Sequence, residues 1–259
     1  MTSDFQDKGG PLGLFLDPSG GMAGDMLLAS LAALGTDLDE LAGMLRAGGL
    51  DVSLALEPRQ RQGLAGWGLA IDAPGAQPLR HLPDLLAVVE AMGLPPRARE
   101  RTARALTRLA EAEARVHGTG IESVHFHEVG AVDTVVDVAG AFWALERLGV
   151  EEVVCAALPW FRGEVDCAHG RLPLPAPATA ALLEGKPVRS TEVVGEIITP
   201  TGALLIDQAV DRFGHGPDGV LRATATAFGT REIPGAEAGL RAFLYDSAGT
   251  REGRPRAAR

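Results

Sequence analysis

Lysine is almost missing from this chain of 259 residues: Lys8 and Lys186 stand against 22 arginines. A phosphate loop of the G-x-x-x-x-G-K-[ST] kind needs Lys before Ser or Thr, and neither Lys has that neighbour. A Schiff-base lysine is equally hard to place. Cysteine is as scarce, with Cys155 and Cys167 alone, so no disulfide framework holds the fold and reduced thiols are expected. No run of 18 uncharged apolar residues occurs, and Met1 to Pro11 lacks the apolar centre of a signal peptide; a cytoplasmic protein is expected. Positive charge is in deficit, with 34 acidic against 24 basic side chains and a net charge of −10. That balance argues against a nucleic-acid or anionic-membrane binder, which would have to hold a polyanion against a negative field. What is present is a 46% hydrophobic composition, enough for one large domain or two small ones.

The polar leader 1–10 and the segment 247–259, which has no apolar period, read as disordered tails around a folded part spanning 11–246. Strand-length apolar runs fall at Leu12–Asp17, Leu50–Leu56, Leu64–Ile71, Val153–Leu158, Val193–Ile198, Val220–Phe228 and Leu240–Tyr245. Helical segments are expected at Met22–Leu34, Leu38–Ala47, Leu82–Met92, Pro96–His117, Asp133–Leu148, Ala176–Leu183 and Gly202–Phe213. Along Pro96–His117 an apolar stripe of Ala105, Leu109, Ala112 and Val116 runs among six Arg and three Glu, which read as a solvated face. The short Glu57–Gly63 connection predicts an antiparallel hairpin. Asp72–Pro78 and Leu172–Pro177 read as loops within the domain. The fold class expected is α/β (mixed α+β), a single domain with a mixed sheet flanked by helices.

Four constellations could carry chemistry. In Leu14-Phe-Leu-Asp-Pro-Ser-Gly-Gly-Met-Ala-Gly-Asp-Met26 a strand enters a glycine-rich turn and then a helix. Backbone N–H groups freed by Gly20, Gly21 and Gly24 could cradle a phosphate or carboxylate at the helix start. Asp17 and Asp25 tolerate an anion there only with a cation between, so metal plus phosphate fits better than phosphate alone. The alternative is a tight strand-to-helix turn with Asp25 favouring the helix dipole.

The second is His125-Phe-His-Glu-Val-Gly-Ala-Val-Asp-Thr-Val-Val-Asp137. His125 and His127 face one side if extended, while Asp133 and Asp137 share a helix face. With Glu128 they bring N and O donors suited to Ni²⁺, Zn²⁺ or Mn²⁺ within short reach. Asp133 reads equally as a helix N-cap. Asp137, flanked by Val135, Val136 and Val138, needs a partner or a cleft.

Cys167-Ala-His-Gly170 pairs a thiol with His169, as metal ligands or as nucleophile and base, or else as a small buried cysteine and a turn histidine. Cys155 reads as plain core. In Glu196-Ile-Ile-Thr-Pro-Thr-Gly202, Thr201 is the expected N-cap and Thr199 the free ligand hydroxyl.

Taken together these residues resemble one family. Asp17-Pro-Ser-Gly-Gly-Met-Ala-Gly-Asp-Met26, Ala112-Glu-Ala-Arg-Val-His-Gly118, His125-Phe-His-Glu-Val-Gly-Ala-Val-Asp133, Cys167-Ala-His-Gly170 with Pro173 to Thr179, and Thr199-Pro-Thr-Gly202 are similar in order and spacing to the LarC family of nickel insertion proteins. The resemblance implies a CTP-dependent cyclometallase that places Ni²⁺ into pyridinium-3,5-bisthiocarboxylic acid mononucleotide, forming Ni–S and Ni–C bonds for lactate racemase and related pincer-dependent enzymes. On it, Ni²⁺ is the substrate metal and Mg²⁺ or Mn²⁺ would accompany CTP. His125, His127, Glu128, Asp133, Asp137, Cys167 and His169 would handle nickel. Asp17 and Asp25 would act in catalysis, and Ser19, Gly20, Gly21, Gly24, Thr199 and Thr201 would hold the phosphorylated substrate.

The expected partners are that mononucleotide, a separately encoded C-terminal domain, a pincer-dependent racemase as recipient and a second copy in a homo-oligomer, with no nucleic acid or membrane. Family members usually continue into a second domain associated with CTP, and a histidine-rich stretch of theirs corresponds here to Gln77-Pro-Leu-Arg-His-Leu-Pro83, with one His. Trp160-Phe-Arg-Gly-Glu-Val165 replaces a smaller, glycine-rich approach to the Cys-Ala-His segment. The competing functions are a non-catalytic nickel or cofactor carrier and a metal-dependent phosphohydrolase using Asp17, Asp25 and the His/Asp cluster.

Overall fold

Period-two alternation builds the centre of the molecule. In strand β1 (Leu12–Asp17), Leu14 and Leu16 enter the main core while Phe15, between them, joins Val154 and Tyr245 in a smaller cluster. A computed structural model describes residues 11–74, 81–124, 126, 131–167 and 170–247. The elements after β1 are α1 (Gly24–Ala33), α2 (Leu38–Ala47), β2 (Ser53–Arg61), β3 (Leu64–Asp72), α3 (Leu82–Ala91), α4 (Pro96–His117), α5 (Ala131–Arg147), β4 (Val150–Cys155) and β5 (Leu158–Pro159). They continue with β6 (Glu164–Cys167), β7 (Gly170–Pro173), α6 (Pro177–Leu183), β8 (Val188–Arg189), α7 (Pro200–Ala209), β9 (Arg212–Phe213), β10 (Val220–Ala227) and β11 (Leu240–Asp246).

Seven strands form a mixed sheet in the order β2-β3-β10-β11-β1-β4-β9. β1 is antiparallel to β11 and parallel to β4. The pairs β5–β8 and β6–β7 stand apart from it. This is the mixed α/β architecture expected, with α1 packed on β3, β10 and β11, and α5 packed on α1 and α4.

The β2–β3 hairpin is antiparallel as predicted but longer. Arg61 pairs with Leu64, so the connection is only Gln62-Gly63, both at positive φ, as a two-residue turn of matching twist requires. Helix α5 is buried almost all round, with Val135, Val136, Val138, Phe142 and Trp143 at 1% exposure or less. Its valines and aromatics therefore work as core, overriding their middling helix propensity.

Several expectations need correction. Val193–Ile198 is not a strand: it bridges Arg162 through Val194 and Met22 through Ile198, and serving two different segments prevents a ladder. The helix expected over Gly202–Phe213 starts earlier, at Pro200, because Pro suits the first turn, and ends at Ala209. Arg212 and Phe213 form a strand beside β4. Part of the expected Leu172–Pro177 loop is β7. The arginines of α4 are not a purely solvated face, since Arg101 lies over the Phe142 ring at 4.5 Å and Arg108 reaches Asp207 at 3.2 Å. Lys186 meets the same Asp207 at 2.5 Å, an ion pair largely removed from solvent. Of the expected tails, 1–10 and 248–259 lie outside the described residues, while Ser247 hydrogen-bonds the Pro11 carbonyl.

Candidate functional site: an acidic cleft at the start of three helices

A cleft of about 440 Å³ opens where α1, α5 and α7 begin. Asp25 stands in the first turn of α1, Asp133 and Asp137 one turn apart on α5, and Thr199 and Thr201 at the start of α7; all five line the cleft. Four-residue spacing puts Asp133 and Asp137 on one helix face, as their sequence separation predicted. The close approach of α1 to α5 makes it possible. At Gly24 a Cβ would fall 2.3 Å from the Asp137 carboxylate, so any larger residue would push that side chain away.

Asp137 is the centre of this arrangement. It is 6% exposed, and its Oδ1 has no hydrogen-bond partner. The Asp25 N–H and the Thr201 hydroxyl face the carboxylate. Burial, joined by the charges of Asp25 and Asp133, pushes its pKa well above the usual carboxylate range despite those two contacts. Asp25 is raised as well, chiefly by burial, although its carboxylate accepts from the Met26 N–H at 2.8 Å and feels Arg59. Thr134, 1% exposed, adds an Oγ1 without a partner in the same lining. A buried carboxylate oxygen with no donor is expensive, and a protein keeps one where a ligand or a proton supplies what the fold omits.

The two threonines exchange their expected roles. Thr199 is the N-cap, accepting from the Gly202 N–H at 3.2 Å, and Thr201 sits inside the first turn facing Asp137. Their hydroxyls are 3.1 Å apart. The swap follows from the helix starting at Pro200, one position before Thr201. Asp133 likewise is inside the first turn of α5 and not its cap, and it lies exposed at the mouth.

The glycine turn is built differently from a free anion cradle. Gly20 N–H donates to the Gly239 carbonyl at 3.1 Å, Gly21 N–H to Pro18 at 2.8 Å and Met22 N–H to Ile197 at 2.7 Å. Of the turn's expected ligand residues, Gly20 lines the cleft while Ser19, Gly21 and Gly24 are absent from its lining. Asp17 is held elsewhere: it accepts from Ser19 N–H at 3.0 Å and from the Ser19 hydroxyl, and it pairs with Arg241, its cross-strand neighbour on β11. Burial alone would raise its pKa, but Ser19 and Arg241 outweigh it and hold the group below its usual value.

Cys167 ends β6, half-buried, its thiol 3.0 Å from the Gly170 carbonyl, and it is not part of the cleft lining. It is therefore not the small buried cysteine of the structural alternative. Cys155 is core as expected, its thiol pushed up to about 12 by burial and the nearby Asp17 charge. His125, His127, Glu128 and His169 lie outside the described residues. Among the described residues, no three His, Cys, Asp and Glu side chains are placed to hold a metal ion. Sequence reasoning missed Arg61, Glu196, Thr230 and Arg231, which also line the cleft. They come from the tip of the hairpin, the irregular 193–198 stretch and the segment after β10; Glu196 opens the Glu196–Gly202 constellation without being picked out in it, and no local motif marks the other three.

Fold and cleft define a mixed α/β protein with an acidic, hydroxyl-bearing cleft at converging helix starts. The chain belongs to the family described as nickel insertion protein, which matches residues 14–257. A relative from Thermomicrobium roseum named for nickel insertion is 47% identical over 225 residues, covering 85% of this chain and 55% of the relative. Others so named, from Citrifermentans bemidjiense and Geotalea daltonii, are 44% and 40% identical over 240 residues, covering 90% and 92% of this chain and 61% and 62% of those proteins. The chain thus spans roughly three fifths of the length of the curated relatives it matches. No solved structure matches it. No helix among the described residues is long and apolar enough to cross a membrane.

Proposed function

We propose that this chain inserts Ni²⁺ into pyridinium-3,5-bisthiocarboxylic acid mononucleotide, with CTP and Mg²⁺ or Mn²⁺ as co-reactants, and that the acidic cleft is where the nucleotide and the metal meet. The observation that carries this reading is the buried, half-unpartnered carboxylate of Asp137 in a cleft shared with Asp25, Asp133, Thr199 and Thr201. Family membership supplies the metal; the resemblance of the motifs to the LarC family supplies the nucleotide and CTP. Asp133 and Asp137 offer oxygen donors that steer a divalent cation. His125, His127 and Glu128, a few residues before α5, add the borderline donors that Ni²⁺ prefers. Cys167 at the end of β6, with His169 two positions later in the sequence, would serve as a further donor pair.

The chemistry needs a base as well as ligands. Nickel bonds to two sulfurs and takes the place of one ring proton when the Ni–C bond forms, and that proton must leave. A carboxylate whose pKa burial has raised is, in its ionised form, a stronger proton acceptor than an ordinary one. Asp25, Asp133 and Asp137 are cleft carboxylates so raised by burial, and Asp25 and Asp137 are the more deeply set of the three.

Purified protein incubated with Ni²⁺, CTP, Mn²⁺ or Mg²⁺ and the bisthiocarboxylate nucleotide should yield the nickelated product by mass spectrometry. No product, even after a separately encoded C-terminal domain is added, would sink the proposal. Tight nickel binding without turnover would make the chain a carrier, and nickel-independent phosphate release from simple nucleotides would make it a phosphohydrolase.

A further inference from the structure

The cleft is not acidic throughout. Arg61 at the end of β2 and Gly229, Thr230 and Arg231 after β10 form a cationic, hydroxyl-bearing part of the same lining. Arg61 is held in place without being neutralised: one Nη donates to the Gly229 carbonyl at 2.5 Å, and the guanidinium lies 5.5 Å from the centre of the Phe228 ring. It has no ion pair among the described residues. Arg231 contacts Glu196 at 3.1 Å, but its side chain is 68% exposed, and an ion pair in that setting contributes little and rearranges easily. Two guanidiniums that keep most of their donors are thus presented to one cavity.

The competing place for an anion is the glycine turn, and four of its donors are spent. Ser19, Gly20, Gly21 and Met22 N–H groups each have an acceptor within the chain. Within the first turn of α1 the donors from Asp25 and Met26 face the carboxylates of Asp137 and Asp25, and the Asp137 carboxylate also crowds Gly24. A phosphate placed there would meet negative charge in the positions it needs. The arginine side offers the reverse, since a guanidinium fork matches phosphate oxygens in charge and geometry.

We propose that Arg61 and Arg231 form a phosphomonoester subsite in the cleft, which takes the 5′-phosphate of the mononucleotide and leaves its pyridinium ring to the carboxylate side. The ligand's identity rests on the function proposed above; the phosphate subsite does not. The ligand would lie with its 5′-phosphate on arginine and its ring toward Asp25, Asp133 and Asp137, where Ni²⁺, the substrate metal, would stand between the ring's two thiocarboxylates and the cleft carboxylates.

Isothermal titration of the full chain with ribose 5-phosphate, nicotinic acid mononucleotide and the corresponding nucleoside tests this. Wild-type protein should bind the two phosphorylated probes more tightly than the nucleoside. Arg61→Ala should weaken both phosphorylated probes by about tenfold or more and leave the nucleoside unchanged. Arg231→Gln should do the same to a smaller degree, and raising salt should narrow the gap. Arg231 is exposed, so its variant decides the matter even if Arg61→Ala loses its thermal transition. Failure of wild-type protein to bind either phosphorylated probe, or equal binding by wild type and both variants, overturns the subsite. If the variants lose phosphate binding while wild type makes no nickelated product, the subsite stands and the nucleotide reading falls.

Discussion

Asp17 and Asp137 are both largely buried aspartates beside the same glycine turn, yet their surroundings are opposites. Asp17 accepts two hydrogen bonds from Ser19 and an ion pair from Arg241, and its pKa is held low. Asp137 has an oxygen with no partner, two carboxylates for neighbours and a raised pKa. The first is a staple between β1 and β11. The second is held in a state the fold alone does not stabilise, which is how a group waiting for a ligand or a proton looks. Burial is common to both; what separates the two aspartates is whether the fold completes the hydrogen bonding.

The sharpest way to break that contrast is to neutralise each carboxylate. Asp137→Asn should lower nickel insertion by on the order of a hundredfold while leaving thermal stability equal or higher, because it removes a charge that burial and two neighbours disfavour. Activity and melting temperature measured side by side check it; a large loss of stability would return Asp137 to the scaffold. Gly24→Ala should come next, since its Cβ would collide with the Asp137 carboxylate. It should displace that group and cost about 1–3 kcal/mol of stability together with most activity, read by denaturation and by product formation. Asp17→Asn should instead cost about 1–2 kcal/mol in urea unfolding while the cleft keeps its ligand affinity. The charge-assisted hydrogen bonds that this substitution weakens lie outside the cleft, and the half-exposed Arg241 can turn to water.

The two carboxylates should also answer pH in opposite directions. Asp17 has a depressed pKa, so its contribution is complete above the unfolded carboxylate value and is lost as pH falls through the lower folded value. Asp137 has a raised pKa, so the folded state binds its proton more tightly; stability is greatest below the unfolded value and declines as pH rises through the higher folded one. Melting temperature against pH should therefore show a shallower acid-side slope in Asp17→Asn and a shallower decline above the unfolded carboxylate value in Asp137→Asn. The smallest effect is expected at the cap: Thr199→Ala should cost about 1 kcal/mol, while Thr201→Val should barely change stability but weaken activity by removing the hydroxyl that faces Asp137. Equal behaviour of the two threonine variants would contradict the assigned exchange of roles.

Local pattern made much of this legible. The limits of Leu38–Ala47 and Pro96–His117 match their expectation because proline, an aspartate cap and a 3.6-residue apolar stripe act within one element. Asp137 was marked by valines on either side, since a carboxylate in such company must be completed by something. Thr199 and Thr201 were found, but their roles were inverted, because which of two threonines caps depends on where Pro200 starts the helix. Val193–Ile198 has the composition of a strand and is none, because two different segments claim its backbone.

By itself, then, the sequence determined the helices, most strands, the family and the list of groups able to bind metal or proton, all of which depend on residue type and short-range spacing. Tertiary structure decided which of those groups meet. It turned Asp17 to Arg241, 224 positions away, spent the glycine turn's donors on carbonyls of Ile197 and Gly239, and brought Arg61 and Arg231 into the cleft of Asp25 and Asp137. Contacts between residues so far apart are set by how sheet and helices pack, and no local period records them.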